Sequence, residues 1–284
     1  MKEQIKKIYY RILWILPKKI AIKIKYRVAT HKRLDMKNPR DFNQKVLYLL
    51  ANKYGSLESK CADKYRVREY IKEKNLDSYL PKLYNVYEKA EDINFEQLPQ
   101  EYVLKTNHGC GCTIIHEKDS KLDKEKVIKE LNESLKVNWA KKNLEYQYEN
   151  IKPLIICEEY LKEEGLKNPT DYKFYCFYGK VECILLCSER EKGLKLDYYD
   201  LNWEKLNYAK EEYRSNKEHK KPENLDKMID IASKLSEDFP WVRVDLYNLK
   251  GKIYIGELTF TPAAGVIKYN TQESLNYLGK LIKI

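Results

Sequence analysis

Two acidic residues stand out in the stretch RVDLYNLKGKIYIGELTF, residues 243–260. The stretch has the pattern of two short strands around a turn, yet Asp245 and Glu257 occupy positions where strands usually carry aliphatic side chains. A three-residue loop of Leu, Lys and Gly, with the glycine left-handed, pairs Asn248 with Lys252. In that register Asp245 lies diagonal to Glu257 on one face of the hairpin.

In this register the face with the two acids also carries Arg243 and Thr259. Arg243 lies opposite Glu257, and Asp245 lies opposite Ile255. Two carboxylates so close repel each other, which raises the pKa of one of them unless a cation lies between them. Arg243 could be that cation, and the group would then be a cross-strand ion pair on a solvated face. A divalent metal explains better why this face is rich in oxygen atoms while the opposite face is apolar. Mg²⁺ prefers a couple of carboxylates and completes its shell with water and substrate phosphates.

A magnesium site predicts a phosphate site, and the stretch VLKTNHGCGCT is the candidate. Lys105 ends a strand there, while Gly109 and Gly111 let the backbone of the loop tip approach an anion and direct N–H groups at it. The loop is not a Walker A sequence, and an ordinary hairpin can have the same two-glycine turn. Lys64, in ADKYRVREY, offers a second ammonium group.

Helical and strand patterns follow one another along one continuous domain behind a basic leader. Asp63 is predicted to cap one helix, and Ser120, with Asp123 three residues on, to cap another. The predicted elements are helices over 41–54, 61–75, 120–142 and 223–238, a glycine-bearing hairpin in EYVLKTNHGCGCTIIHEKD, a buried strand in LIICEEYL, a hairpin turning at Tyr178-Gly179-Lys180, and the hairpin with the two acids.

The order of these features resembles the ATP-grasp superfamily: a lysine, a lysine with a glycine-bearing loop, acids after an apolar strand, Arg-x-Asp, a hairpin and Glu-x-Thr. It more closely resembles the branch named after the teichuronopeptide biosynthesis protein TupA, whose members accompany bacterial polysaccharide genes and are sometimes labelled glycosyltransferases. The resemblance runs from about Pro39 to Leu278, and NHGCG and PAAG stand where the branch often has NHGSG and PGSG. The stretches that carry it are FNQKVLYL, ADKYRVREYI, LPQEYVLKTNHGCG, KPLIICEEYL, DYKFYCFYGK, FPWVRVDLYN and IYIGELTFTPAAG.

The resemblance implies an α+β protein with the ATP-grasp fold, in which two α+β subdomains with antiparallel sheets clasp ATP between them. A basic helical leader over residues 1–38 is expected to precede an ATP-grasp domain over 39–284. Within that domain we expect a central lid subdomain over about 90–157 and a C-terminal metal-binding subdomain over about 158–284. The hairpin loop 106–113 is the expected lid, which would keep water away from the phosphates.

The resemblance also implies ATP and Mg²⁺ as cofactors. Two lysines would neutralise the triphosphate as point charges, a four-residue hinge would receive adenine, and Asp171 would bind the ribose hydroxyls. The implied ATP contacts are Lys64, Lys105, His108, Gly109, Gly111, Glu158, Glu159, Tyr160, Leu161, Asp171 and Lys173.

Asp245 and Glu257 match the metal ligands of the superfamily, and Thr259 stands where relatives often have Asn. Arg243 would stabilise the negative charge on the transferred phosphoryl group, and it is the main residue expected to act in catalysis. The other residues assigned to catalysis, or to phosphate or acceptor contacts, are Lys105, Lys173, Ser188 and Arg190.

Enzymes of the superfamily mostly transfer the terminal phosphate of ATP to a carboxylate, and an amine then attacks the acyl phosphate. The resemblance therefore implies a carboxylate-amine ligase that joins an amino acid or amine to a carboxylate-bearing glycan or its precursor in bacterial cell-surface or capsular polysaccharide biosynthesis. Three alternatives stay open: a glycosyltransferase, although no Asp-x-Asp occurs, an ATP-dependent phosphotransferase without ligation, and a non-catalytic nucleotide- or membrane-binding protein.

Positive charge is concentrated at the start of the chain. The net charge is +11, and residues 1–34 hold eleven Lys/Arg and one acid, so a whole-surface footprint for nucleic acid is not predicted. The longest apolar run of this segment, ILWIL, is too short to span a bilayer, and no signal-peptide cleavage pattern follows it. The segment could lie on an anionic membrane surface, or pack on the domain with a solvated basic face.

Cysteine usage indicates a reducing compartment. The seven cysteines are an odd count without an export signal, and free thiols are therefore expected. The expected location is the cytoplasm, with peripheral contact at the inner face of the membrane if the leader binds lipid.

Overall fold

The computed structural model describes residues 2–163, 169–188, 193–215 and 217–284. These residues form two antiparallel sheets with helices packed against them, which confirms the predicted α+β class. The elements in chain order are α1 Lys2–Ile15, α2 Lys18–Thr30, α3 Phe42–Asn52, α4 Ser56–Ala62, α5 Val67–Glu73, β1 Leu83–Tyr87, β2 Tyr102–Thr106, β3 Thr113–His116, α6 Lys124–Leu135, α7 Trp139–Asn143, β4 Ile155–Glu158, β5 Asp171–Phe177, β6 Lys180–Ser188, β7 Lys195–Tyr199, β8 Lys205–Leu206, α8 Leu225–Ser236, β9 Val242–Leu249, β10 Lys252–Thr259 and α9 Gln272–Leu281.

The smaller sheet has four strands in the order β1-β4-β2-β3. Strands β2 and β3 form the predicted glycine-bearing hairpin, and β4 is the predicted buried strand. Helix α6 covers one face, where Leu131 packs with Leu104 and Cys157 in a buried cluster. The sheet begins at Leu83, before the expected start of the central subdomain at about residue 90, and it ends at Glu158.

The larger sheet has six strands in the order β10-β9-β5-β6-β7-β8. Helix α8 packs on one face, where Leu235 joins Phe174 and Val244 in the largest buried cluster. Helices α3 and α9 cover part of the other face through residues such as Phe42 and Leu278. The uncovered remainder of that face carries polar side chains and lies toward the smaller sheet.

The predicted helix over 61–75 is wrong as a single helix. Helix α4 ends at Ala62 and α5 begins at Val67, because the Asp63 side chain accepts backbone N–H groups within the intervening turn. Its Oδ1 atom accepts from Tyr65 N at 2.8 Å and from Asn107 Nδ2 at 2.8 Å. Asp63 therefore ties this turn to the smaller sheet instead of opening a long helix.

The predicted helix from Ser120 is also corrected. Helix α6 begins at Lys124, with Asp123 as its cap, and Asp123 Oδ1 accepts from Lys126 N at 3.0 Å. Ser120 instead closes a turn in which Asp119 is left-handed, with φ 64°, and its hydroxyl donates to Glu117 O at 2.7 Å. The helical pattern then breaks again between α6 and α7.

The basic leader forms two helices that pack on the domain. Leu13 and Ala21 bury their side chains against Leu144, just after α7. Trp14 stacks on Tyr146 with ring centroids 5.2 Å apart. Within the described ranges, no helix has both the length and the apolar character needed to cross a bilayer.

The register of the β9–β10 hairpin differs from the prediction. Lys252 pairs with Leu249, not with Asn248, because the turn has two residues, Lys250 and Gly251, which are both left-handed at φ 49° and 85°. Continued without interruption, this register would pair Glu257 with Val244 on the apolar face.

A bulge at Gly256 restores the predicted face. Beyond it, Glu257 pairs directly with Asp245, and Thr259 pairs with Arg243. A bulge adds one residue to one strand and so moves every later side chain to the other face. The predicted pairs of Asp245 with Ile255 and of Arg243 with Glu257 are wrong, but all four polar side chains do share one face.

Gly256 leaves no room for a side chain, and we predict that Gly256→Ala disturbs the bulge. A Cβ atom there would lie 2.9 Å from Tyr247 Cε2 and 3.1 Å from Asp245 O. We expect a loss of about 1–3 kcal/mol in the free energy of unfolding, the usual effect of overpacking. Chemical denaturation measures it. Gly55→Ala is the matched control, since its Cβ would meet nothing nearer than Glu58 Oε2 at 4.0 Å; equal stability of the two variants would contradict the prediction.

Candidate functional site

A cleft of about 320 Å³ lies between the two sheets. The β2–β3 loop and the end of β4 line one side, and β9 and β10 line the other. The cleft brings together most of the residues that the sequence predicted for the site. Those among its lining residues are Lys64, Lys105, Gly111, Glu158, Glu159, Tyr160, Leu161, Asp171, Asp245 and Glu257.

A buried ion-pair group forms the floor of the cleft. Asp245 is 1% exposed, and its two oxygens accept from Arg243 Nε and Nη2, each at 2.7 Å. Lys173, its cross-strand partner on β5, approaches the same carboxylate to 2.5 Å and also Asp171 to 2.6 Å. Burial raises the pKa of Asp245, and Arg243 and Lys173 counteract it. Arg243 and Lys173 therefore compensate the charge of Asp245, and neither of them is among the cleft-lining residues.

Glu257 is the more accessible of the two acids. Its side chain is 40% exposed, and its Oε1 accepts from Thr259 Oγ1 at 3.1 Å. Its Oε2 lies 3.8 Å from Lys64 Nζ, and Arg243 Nη2 lies 3.5 Å from Oε1. Burial opposes ionisation of Glu257, but Lys64, Arg243 and Lys173 outweigh it and lower its pKa to about 2.

The donor set at this point suits Mg²⁺. Asp245, Glu257 and Thr259 offer only oxygen ligands from one face of two neighbouring strands. Mg²⁺ is usually held by one or two carboxylates together with water and phosphate oxygens, and these residues fit that pattern. Among the described residues there is no group of three or more His, Cys, Asp or Glu that could hold a metal ion.

Two predicted lysines project toward the cleft from the opposite side. Lys64 Nζ donates to Gly109 O at 2.5 Å, and Lys105 Nζ lies 2.5 Å from Glu158 Oε2. The other oxygen of Glu158 accepts from Arg68 Nη1 at 3.1 Å. Arg68 lines the cleft and was missed in the sequence; its spacing four residues after Lys64 is the signal that could have found it.

The glycine-bearing loop rests on Trp139. A Cβ atom at Gly109 would lie only 2.3 Å from the indole ring, so the close contact requires glycine. His108 is 3% exposed, its Nε2 lies 3.2 Å from Val137 O, and it is not among the cleft-lining residues. Burial lowers the pKa of His108. His108 and Gly109 thus contact α7 and the residues before it, while Gly111 faces the cleft.

The hinge after β4 forms hydrogen bonds with Lys82, the residue before β1. The Glu159 backbone N–H donates to Lys82 O at 2.8 Å, and Lys82 N donates to Glu159 Oε2 at 3.1 Å. On the two middle strands of the larger sheet, Cys187 pairs with Asp171 and shares its face. Ser188, the next residue, therefore faces away from the cleft, contrary to the prediction. Arg190 lies outside the described residues.

Sequence comparison identifies the family. The family model described as TupA-like ATPgrasp matches residues 44–283, which is most of the chain. This chain belongs to the TupA-like ATP-grasp family. The predicted membership and the predicted ATP-grasp fold are therefore confirmed. Among curated proteins, none matches this TupA-like ATP-grasp protein.

Solved structures with similar folds include several ligases. A D-alanine–D-alanine ligase from Bacillus anthracis is 16% identical with a TM-score of 0.45, over 86% of this chain and 69% of the ligase. An L-amino acid ligase from Bacillus licheniformis is 12% identical with a TM-score of 0.45, over 85% and 54%. The ATP-grasp ligase PsnB, solved with a minimal precursor, is 12% identical with a TM-score of 0.42, over 84% and 67%.

The low pKa of Glu257 predicts a specific pH dependence for this TupA-like ATP-grasp protein. Its folded-state pKa of about 2 lies below the ordinary value of 4.5, so ionised Glu257 stabilises the fold above about pH 4.5. That contribution is lost as the pH falls from 4.5 toward 2. Because the side chain is 40% exposed, we expect Glu257→Gln to lower the free energy of unfolding at pH 7 by only about 1 kcal/mol.

Urea denaturation of both proteins between pH 7 and pH 2.5 measures this effect. The stability difference between the wild type and Glu257→Gln should shrink steadily below about pH 4.5. Glu130→Gln, at an exposed position on α6, is the control and should show no comparable trend. A difference that stays constant with pH would show that the cations around Glu257 do not lower its pKa.

Proposed function

We propose that this protein is an ATP- and Mg²⁺-dependent carboxylate-amine ligase of bacterial cell-surface or capsular polysaccharide biosynthesis. It joins an amino acid or amine to a carboxylate-bearing glycan or its precursor. The observation that carries the proposal is that Asp245 and Glu257 share one face and lie at the same cleft as Lys64, whose Nζ is 3.8 Å from Glu257 Oε2. A metal-bound triphosphate needs such carboxylates and cations at one place.

ATP would lie between the two sheets. Lys64 and Lys105 would exchange their present partners, Gly109 O and Glu158, for phosphate oxygens. Residues 158–161 would contact adenine through their backbone, and Asp171 would bind the ribose. Apolar side chains that line the cleft, such as Ile71 and Ile115, suit the faces of the base.

Asp245, Glu257 and Thr259 would hold Mg²⁺. The bound ion would supply charge neutralisation on the phosphate oxygens as the phosphoryl group is transferred. Arg243 is fixed by its two hydrogen bonds to Asp245, so its charge is already placed before the reaction begins. Such fixed charge stabilises a transition state without a cost of reorganisation. Lys105, Lys173 and Arg190 are proposed to assist at the phosphates or at the acceptor.

The proposed reaction balances without a nucleophilic side chain. A carboxylate oxygen of the acceptor attacks the γ-phosphorus, the bond to the β–γ bridging oxygen breaks, and ADP leaves. The amine then attacks the acyl carbon, inorganic phosphate leaves, and the nitrogen loses a proton to form the amide. The protein aligns the substrates and excludes water, which would otherwise hydrolyse the acyl phosphate. The loop 106–113, whose Gly109 contacts Trp139, would act as the cover.

We predict that Asp245→Asn and Glu257→Gln each lower ATP turnover by at least about 100-fold, because each removes a charged oxygen ligand of Mg²⁺ and leaves nearby cations without their partner. ADP release, followed in a coupled assay with Mg²⁺, measures the loss. Asp230→Asn removes an exposed acid on α8 and should retain full turnover. Unchanged turnover in both site variants would overturn the proposed metal site.

Mass spectrometry tests the reaction type. The protein is incubated with ATP, Mg²⁺, a panel of amino acids and uronic-acid glycans, and the products are examined for an amide. A stable phosphorylated product without an amide would favour a phosphotransferase. Release of a nucleoside diphosphate from a nucleotide sugar would favour a glycosyltransferase. Absence of any turnover, with nucleotide binding retained, would favour a non-catalytic binding protein.

We further propose that helix α1 contacts an anionic membrane surface. Its outward face carries a stripe of isoleucines at helical spacing, Ile5, Ile8, Ile12 and Ile15, which are 60%, 56%, 57% and 84% exposed. The opposite side of α1 packs on the domain through Leu13 and Trp14. Lysines and arginines account for the net charge of residues 1–34, and a basic helix with an exposed apolar stripe suits the headgroup region of anionic lipids. A cytoplasmic location at the inner membrane face is part of this proposal.

Vesicle co-sedimentation tests the membrane contact. We predict that the double variant Ile8→Glu and Ile12→Glu loses binding to phosphatidylglycerol-containing vesicles by about tenfold or more, since it places two acids in the apolar stripe. Leu201→Glu changes an exposed apolar residue elsewhere, 37% exposed in the wild type, and should bind as the wild type does. Equal sedimentation of all three proteins, or equal binding to pure phosphatidylcholine, would exclude the proposed contact.

A further inference from the structure

Lys25 is a buried cation in the leader helix α2. It is 5% exposed, and its Nζ donates to Asn143 O at 2.5 Å and to Ala264 O at 2.6 Å. Burying an ammonium group is unfavourable unless hydrogen bonds replace its water. Neither the metal site nor the proposed membrane contact uses this side chain, so its burial needs another explanation.

The two carbonyl groups belong to segments next to the elements that line opposite sides of the cleft, the β2–β3 loop and β10. Asn143 ends α7, the helix whose Trp139 supports Gly109 of the glycine-bearing loop. Ala264 lies in the turn directly after β10, the strand that carries Glu257. Lys25 therefore links α7, which supports the glycine-bearing loop, to the turn that follows β10, the strand with the proposed metal ligand Glu257.

The turn after β10 has a backbone that needs such support. Ala263 and Ala264 are left-handed, at φ 50° and 54°, and Gly265 follows at φ 82°. Residues with a Cβ rarely adopt this conformation, and they keep it only where the surroundings hold them. Lys25 donates to the carbonyl of the second alanine, which is a direct restraint on this turn.

The same region receives a second set of hydrogen bonds. Thr261, at the start of the turn, donates from its hydroxyl to Glu145 Oε1 at 2.6 Å and accepts from Gln147 Nε2 at 2.6 Å. Glu145 and Gln147 follow Asn143 closely in the chain and are themselves buried. The segment 143–147 and the turn 261–265 thus form one polar contact, with Lys25 at one end of it.

We propose that Lys25 is a positioning residue for the reaction, which acts by fixing the turn 261–265 and the segment 143–147 to each other, and so sets the ends of β10 and of the loop over the cleft. The leader is then part of the active-site structure as well as a membrane-facing element. The role of Lys25 in turnover rests on the proposed function, whereas the role of Lys25 in fixing the turn does not. Deleting residues 1–34 would consequently remove both features at once.

The main test compares Lys25→Met with Lys23→Met, which removes an exposed lysine two residues earlier on the same helix. For Lys25→Met we expect kcat to fall roughly ten- to a hundredfold, the range for a misplaced reacting group, while KM for ATP changes less than about twofold. The ATP contacts lie on other residues, so binding of AMP-PNP with Mg²⁺ should also persist. Lys23→Met should match the wild type. Equal kcat in both variants, or parallel loss of nucleotide binding, would overturn the proposal.

Chemical rescue separates a positioned donor from simple packing. Lys25→Ala should recover activity when ethylammonium is added, because this cation can donate to both carbonyl groups from the vacated space. Tetramethylammonium carries the same charge without N–H groups and should not restore activity. Equal rescue by both cations, or by neither, would argue against a hydrogen-bonding role for the ammonium group.

Hydrogen exchange tests the restraint without any assumption about the reaction. In the unsubstituted protein the Val266 amide, which donates to Ala263 O within the turn, should exchange about 100-fold or more slowly than an open amide. In Lys25→Met this protection should fall, and in Lys23→Met it should not. Exchange at the open rate in the unsubstituted protein would overturn the proposal even if no variant folds. If no acceptor supports turnover in the wild type, the ligase proposal fails, while this measurement still decides the role of Lys25.

Discussion

The buried contact of Asp245 with Arg243 and Lys173 is the interaction on which the candidate site depends. A carboxylate that is almost fully removed from water is unfavourable unless cations and hydrogen bonds compensate it, and removing one partner leaves an uncompensated charge. Arg243 binds both oxygens, and Lys173 reaches the same group from the neighbouring strand. These contacts join two adjacent strands, β5 and β9, and Arg243 also donates to Thr259 on β10, the strand that carries Glu257.

The position of Glu257 also depends on a backbone irregularity. The tight turn at Lys250-Gly251 fixes the pairing from one end of the hairpin, and the apolar contacts of Val244 and Leu258 fix it from the other. The two registers differ by one residue, and the bulge at Gly256 takes up the difference. Glycine suits this place because a Cβ atom would meet the Asp245 carbonyl and the Tyr247 ring.

The rest of the molecule arranges the two sheets around this floor. Asp63 and Asn107 connect the turn that carries Lys64 to the smaller sheet, and Trp139 supports the glycine-bearing loop by its contact with Gly109. The leader helices pack against Leu144, just after the helix that carries Trp139, and contact the turn after β10 through Lys25. The residues that line the cleft therefore come from several elements between Lys64 and Glu257, and the leader contacts the segments that support them.

The sequence alone determined the family, the fold class, the main strands and hairpins, and the shared face of Asp245 and Glu257, because alternation in strands and the order of polar residues are local properties. It did not determine the bulge at Gly256, the breaks at Asp63 and before Lys124, or the contacts of Arg68 and Lys25. The break before Lys124 comes from local hydrogen bonds of Ser120 and Asp123, which the sequence pattern did not distinguish from a helix start. Each of the others depends on a partner far along the chain or on competition between two packing demands, as with Arg68 and Glu158. Only the tertiary structure decides such contacts, since the free energy that fixes them comes from atoms that folding brings together.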